Sequence, residues 1–159
     1  MTTDERCNAY LEYKKQVSII EGLEKEIKKA NEAGDIAYQS SLSSTDTEAA
    51  YTAGDKAGWF LADDLVDKKK EAELKLNDCY EKLLKNPFDL SEYYSCCAYG
   101  ITDIKRVEVT LLDDTKLRGI IYPYVYDNPQ EMVLEIENGD SFYLGEGWEV
   151  KSVTFLNKE

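Results

Sequence analysis

The side chains of this chain best suited to covalent chemistry are four cysteines, Cys7, Cys79, Cys96 and Cys97, and the sequence contains no histidine. A cysteine nucleophile needs a base beside it, and without imidazole that base would have to be a carboxylate or a lysine. Adjacent Cys96 and Cys97 do not have zinc-finger spacing, and no histidine is available to complete a metal site. In a reducing compartment all four read as buried thiols rather than a disulfide framework. Paired carboxylates occur at Asp63-Asp64 and Asp113-Asp114. Neighbouring acids on a helix point in different directions, however, and acids in a turn face water, so neither pair has the geometry of an acid and base flanking one bond. Gly145-x-Gly147 is too short to cradle a phosphate and leads into a strand pattern, and no acids alternate around a glycine as in a calcium loop. The expectation is a protein that is not an enzyme and carries neither metal nor cofactor.

Binding chemistry is better represented. Twelve tyrosines are present, and Tyr122, Tyr124 and Tyr126 alternate along one apolar run, which puts all three on one face of a strand. Asp127, Glu131 and Glu135 follow closely, and Asp113 and Asp114 occupy the preceding turn. If that face points outward, rigid aromatic area edged by carboxylates suits a basic protein surface. The alternative is that the tyrosines, rather than Ile121 and Val125, fill the core. The net charge of −13 is spread along the chain: residues 1–100 hold 20 acidic against 13 basic side chains, and residues 101–159 hold 12 against 6. A field of this sign repels nucleic acid and steers toward cations.

Those residues must be positioned by two kinds of element. Thr2 and Glu5 have capping-box spacing. Tyr10, Tyr13, Val17, Ile20, Leu23 and Ile27 then recur in steps of three and four, predicting a helix of roughly 28 residues that stops at Gly34. A polar link over 35–44 precedes a second capping box, Thr45 with Glu48. A second stripe follows (Ala53, Ala57, Leu61, Leu65, Ala72, Leu76, Cys79, Leu83) and ends at Asn86-Pro87. Gly54-x-x-x-Gly58 marks close helix packing, and its two glycines suggest that the helix starts in earnest only near Trp59. Two helices with a short link predict an antiparallel hairpin, coiled-coil-like, over 1–86. One buried seam leaves such a hairpin in need of a partner: the sheet, a third helix, or a second copy in a homodimer. Asp89 and Glu92 have cap spacing for a short third helix over 89–99, within a linker of 87–104.

Residues 105–159 change period. Val107 to Leu111 alternate, Asp113 to Lys116 is turn chemistry, and Leu117 to Val125 is a second strand in which Gly119 permits bending. Met132 to Ile136, Ser141 to Leu144 and Trp148 to Phe155 supply three more, with Asn138-Gly139-Asp140 a hairpin turn. Five strands in about fifty residues predict a small antiparallel barrel. The fold class is therefore α+β: a long helical hairpin, a short third helix and a five-stranded SH3/Sm-like barrel. Val107-Glu108-Val109-Thr110-Leu111, Leu117-Arg118-Gly119 and Met132-Val133-Leu134-Glu135 resemble the first motif of Sm-like proteins, which implies that barrel over residues 105–156. The family's RNA-binding chemistry does not carry over. Glu131 stands where its asparagine would be, and Leu144-Gly145-Glu146-Gly147 lacks the arginine of its second motif. The resemblance is to the barrel without the RNA.

Size, acidity and build resemble phage-encoded anti-CRISPR and DNA-mimic proteins. The expected function is a protein-binding inhibitor that blocks a basic nucleic-acid-binding surface of a host protein such as a CRISPR or other defence effector. Two alternatives differ in kind: an Sm-like oligomeric module capturing a small ligand or nucleotide, and a structural adaptor binding through its hairpin. The first residues lack the apolar run of a signal peptide and no stretch has transmembrane length. The expected setting is the cytoplasm of a bacterial or phage-infected cell, without membrane association.

Overall fold

The computed structural model describes residues 1–42, 46–95, 104–125 and 128–156. Two compact units result, one made of Met1–Glu12 with Cys79–Glu159 and the other of Tyr13–Asp78. The helices α1 (Thr3–Leu42), α2 (Thr47–Gly54) and α3 (Phe60–Lys85) are followed by five strands, with a π-helical turn at Asp55–Trp59 between α2 and α3.

The capping box at the start of α1 is formed: Glu5 Oε2 accepts from the Thr2 amide at 2.6 Å, and Thr2 Oγ1 accepts from the Glu5 amide at 3.1 Å. The helix does not stop at Gly34 but continues to Leu42, 40 residues in all. Gly34 has a packing role instead. A Cβ there would lie 2.2 Å from Cδ1 of Trp59, so the missing side chain is space for the indole, whose Nε1 donates to Asp35 Oδ1 at 3.0 Å. The expected polar link over 35–44 is thus helical through residue 42. Of the expected second capping box, Thr45 lies outside the described residues, and the N-cap is Asp46, which accepts from the Ala49 amide at 2.8 Å. The second helical stretch starts there, well before Trp59.

Within the Tyr13–Asp78 unit the second helical stretch buries Leu65 and Ala72 as its stripe predicts, but over residues 50–62 the seam differs from that stripe. Ala50, Gly54, Gly58 and Ala62 are buried, while Ala57 and Leu61 face out. The buried set is spaced four apart, wider than the 3.6 residues of an α-turn, and the i→i+5 turn at Asp55–Trp59 absorbs the difference. Small residues are required here: a Cβ on Gly58 would come within 1.9 Å of the Ala30 carbonyl oxygen. The helices meet backbone to backbone at that point. Ala30, Ala62 and Leu65 form the adjoining core with Leu23 and Ile27 against it.

The sheet is antiparallel throughout, in the order β4-β3-β2-β1-β5. Its strands are β1 (Arg106–Leu111), β2 (Lys116–Val125), β3 (Asn128–Ile136), β4 (Ser141–Gly145) and β5 (Val150–Phe155). Among the described residues β4 and β5 are not paired to each other, so the sheet is open rather than a closed barrel. Val107, Val109, Leu111, Ile121, Leu134, Leu144 and Val150 line its buried face. The strand pattern therefore forms with the expected alternation. Gly119 sits where a Cβ would lie 2.0 Å from the Glu135 carbonyl oxygen, and Gly139 (φ 97°) makes the β3–β4 turn.

The short third helix is not formed over the described part of its span. Asp89 Oδ1 caps the Ser91 amide, Tyr93 N donates to Leu90 O in a turn, and Ser95 N donates to Ile121 O at 2.7 Å. The Ser95 amide is thus taken by the sheet, and Tyr94 bridges to Ile121 in parallel. Residues 96–99 of that expected helix lie outside the described residues, as do Cys96 and Cys97 themselves.

Candidate binding surface

Strand alternation divides β2 into two faces. Ile121 is wholly buried in the core; Tyr122, half-buried, and Tyr124, 61% exposed, point the other way. The tyrosines are therefore not the core face of β2. Cross-strand register places Tyr122 against Val133 of β3, and Val133 against Tyr143 of β4. Tyr143 is 50% exposed, and its ring meets that of Tyr124 edge-on at 5.4 Å and 80°. Such a T-shaped pair sets the positive edge of one ring on the negative face of the other.

Glu131 joins this pair. Desolvation, followed by the Glu131 carboxylate and the hydrogen bond it accepts, pushes the Tyr143 hydroxyl above its ordinary pKa, with smaller effects from Tyr124 and Tyr80. Tyr143 thus remains a neutral donor to Glu131 at physiological pH. Glu135 is exposed on β3, opposite Ile120 and Ser141. Farther along the same face the cations are held by carboxylates: Arg118 Nε lies 2.9 Å from Glu108, Lys116 lies 3.9 Å from Glu108, and Arg106 pairs with Glu137. The outer face is therefore aromatic toward the far end of β2 and internally neutralised elsewhere.

Asp113 and Asp114 are not part of this cluster. They form the β1–β2 turn, eight residues of strand from Tyr124, or about 26 Å at 3.3 Å per residue. Each has a local role. Asp113 Oδ1 accepts from the Thr115 amide at 3.0 Å. Asp114, at φ 67°, pairs with Lys151 at 2.7 Å and thereby raises the lysine's pKa. Tyr126 and Asp127 lie outside the described residues.

The structure adds aromatic residues that strand counting alone missed. Gly145 lies between Tyr143 and Trp148; a Cβ there would be 3.4 Å from the first ring and 3.6 Å from the second. Trp148 in turn meets Tyr80 edge-on at 5.1 Å and Tyr10 at 6.1 Å. Tyr10 is buried and donates to Glu149 Oε2 at 2.9 Å. Behind it Arg6 is buried too. One Nη donates to the carbonyls of Gly147 and Trp148 at 3.3 Å, its Nε has no partner among the described residues, and burial lowers its pKa. Tyr143 was legible as the outward residue of Ser141 to Leu144. Tyr80 and Arg6 were not, because their roles depend on contacts about 70 and 140 residues away in sequence.

A shallow cavity of about 380 Å³ is lined by Pro87–Ser91, Met132 and Glu146. Its one hydroxyl, Ser91, hydrogen-bonds Asp89 through both backbone and side chain, which holds that carboxyl below its usual pKa. Among the described residues no group of three Cys, Asp or Glu side chains is placed to hold a metal ion, and no helix is long and apolar enough to cross a membrane. Comparison with protein-family models, with curated proteins and with solved structures finds no match to the chain.

Proposed function

We propose that this chain is a non-enzymatic binding protein whose outer sheet face seats on a basic protein surface. In its sharpest form it is an inhibitor that covers the nucleic-acid groove of a host protein such as a CRISPR or other defence effector. The observation that carries the reading is the exposed Tyr124–Tyr143 pair with Glu131 bonded to it. Tyrosines of this kind offer large contact area with few rotors to immobilise, and cations are attracted to both ring faces and carboxylates. The chain's net charge of −13 supplies the long-range attraction. On the same reading the sheet belongs to the open SH3/Sm-like barrel type, supported by the strand order and by the close approach at Gly119.

The test is competition. Full-length chain is titrated into complexes of labelled nucleic acid with purified defence effectors, and anisotropy reports release. Release is expected for a responsive effector. Replacing Tyr124 and Tyr143 together by serine should weaken it by about 30-fold or more, equivalent to roughly 2 kcal/mol for a hot-spot pair. Raising salt from about 50 to 500 mM should weaken it further by screening. Release by none of a broad panel, or binding indifferent to salt and to both serines, would sink the proposal.

A further inference from the structure

The outward side of α1 in the Tyr13–Asp78 unit carries a second stripe, distinct from the seam that faces the other helices. Ile19, Gly22, Glu26, Lys29, Ala33 and Ile36 recur in steps of three, four, three, four and three, the 3.5-residue repeat of a coiled-coil seam. All six are exposed, Ile36 at 67% and Ile19 at 38%, and among the described residues nothing beyond its own stretch of helix lies within 4 Å of where a Gly22 Cβ would sit. Beside the stripe runs a groove of about 500 Å³ formed by Ala30, Ala33, Ala57, Leu61 and Leu65, with Glu26 and Lys29 at its rim. Leu61 is 56% exposed at its edge. An exposed isoleucine at each end and a leucine beside the middle are unusual on a face that none of the described residues covers.

The order of residues identifies the occupant. The stripe is symmetric about a point between Ile27 and Lys28. Ile19 and Ile36 are equidistant from that point, as are Gly22 and Ala33, and Glu26 and Lys29. A two-fold axis through it, relating α1 to an antiparallel copy, sets each residue against its mirror partner. Isoleucine then meets isoleucine, small meets small, and glutamate meets lysine twice at the centre. Isologous pairing demands self-complementarity of this kind, and a parallel arrangement would oppose like charges instead. The small pair lets the helices approach, and the seam spans about 26 Å at 1.5 Å per residue.

We infer that two copies of this chain pair antiparallel through the outward face of α1, with Leu61 closing the groove from the side. Exposed ion pairs add little energy, so the central glutamates and lysines act to select register and orientation, while the apolar ends and Leu61 supply most of the attraction.

Sedimentation equilibrium of the full chain tests the inference. At about 100 µM, ample for an interface near the lower size limit of specific ones, the mass should be twice 18.2 kDa. Ile36→Glu, at a position already exposed, should return the mass to 18.2 kDa with an unchanged far-ultraviolet spectrum. Glu26→Lys alone and Lys29→Glu alone should each weaken pairing about 10-fold by opposing like charges, and the double exchange should restore it to within about 3-fold. A monomer at about 100 µM would overturn the inference and leave the face to a different occupant. A dimer that survives Ile36→Glu, or a double exchange no better than the single ones, would overturn it as well.

Discussion

Gly58→Ala is the sharpest probe of the hairpin, because one methyl group tests whether the helices meet backbone to backbone. The new Cβ would lie 1.9 Å from the Ala30 carbonyl oxygen and 3.1 Å from the Gly34 amide nitrogen, where 3.4 Å is ordinary contact. Relief requires the helices to part by roughly 1.5 Å, which loosens the Ala30, Ala62 and Leu65 core beside it. Overpacking of this kind costs about 1–3 kcal/mol. Alanine recovers at most about 1 kcal/mol through its better helix propensity. With a clash as deep as 1.9 Å the cost falls in the upper part of that range, about 2–3 kcal/mol, so the net expectation is destabilisation by about 1–2 kcal/mol, a fall in Tm of roughly 2–8 °C for a chain of this length. Gly22→Ala is the internal control: the same exchange in open space should raise Tm by about 2–4 °C through propensity alone. Thermal melts followed at 222 nm, at about 5 µM to keep association low, compare the two. If Gly58→Ala melts at or above the parent temperature, the close approach and the packing reason given for the π-helical turn are both wrong.

The division of β2 into faces gives a paired expectation. Ile121→Ala should cost about 2–5 kcal/mol because a wholly buried side chain leaves a cavity. Tyr124→Ala should stay within about 0.5 kcal/mol of the parent, and urea titration distinguishes them. The N-terminal cap gives a pH expectation. The Thr2 amide, bonded to the Glu5 carboxylate, holds that group below its ordinary 4.5. Its contribution is therefore complete above the unfolded value and lost as pH falls through the lower, folded one. Carboxyl chemical shifts should show Glu5 titrating below 4.5, and Thr2→Ala, which removes the hydroxyl half of the box, should move that titration upward.

The strands of this chain were legible because each needs only alternation and a turn. Val107, Val109 and Leu111 face the core as their spacing requires, and Asn138-Gly139-Asp140 makes its turn from local hydrogen bonds. The helices were legible as stripes, in phase at Leu65, Ala72, Cys79 and Leu83 but not at Ala57 and Leu61. Ala57 and Leu61 fit an unbroken repeat, yet they turn outward because a π-helical turn brings Gly58 and Ala62 to the seam. The glycine spacing signalled the close contact, though its consequence for the residues around it depends on the partner backbone at Ala30. The stop at Gly34 failed for a related reason. A glycine in a helical pattern reads as a terminus, and only the indole of Trp59, 25 residues on, accounts for its place inside the helix. Asp89 through Ser95 failed because competition decided it: a short helix and a bond to the sheet both sought the Ser95 amide.

By itself the sequence determined the two long helical stretches, the five strands, the acidic field and the absence of histidine chemistry. These depend on residue type and on short periods, which the chain carries locally. Only the tertiary structure decided which face of β2 is covered and that Tyr143 and Glu131 join Tyr124. A side chain's exposure is a property of what packs against it, and the partners of β2 are set by strand register and by segments far along the chain.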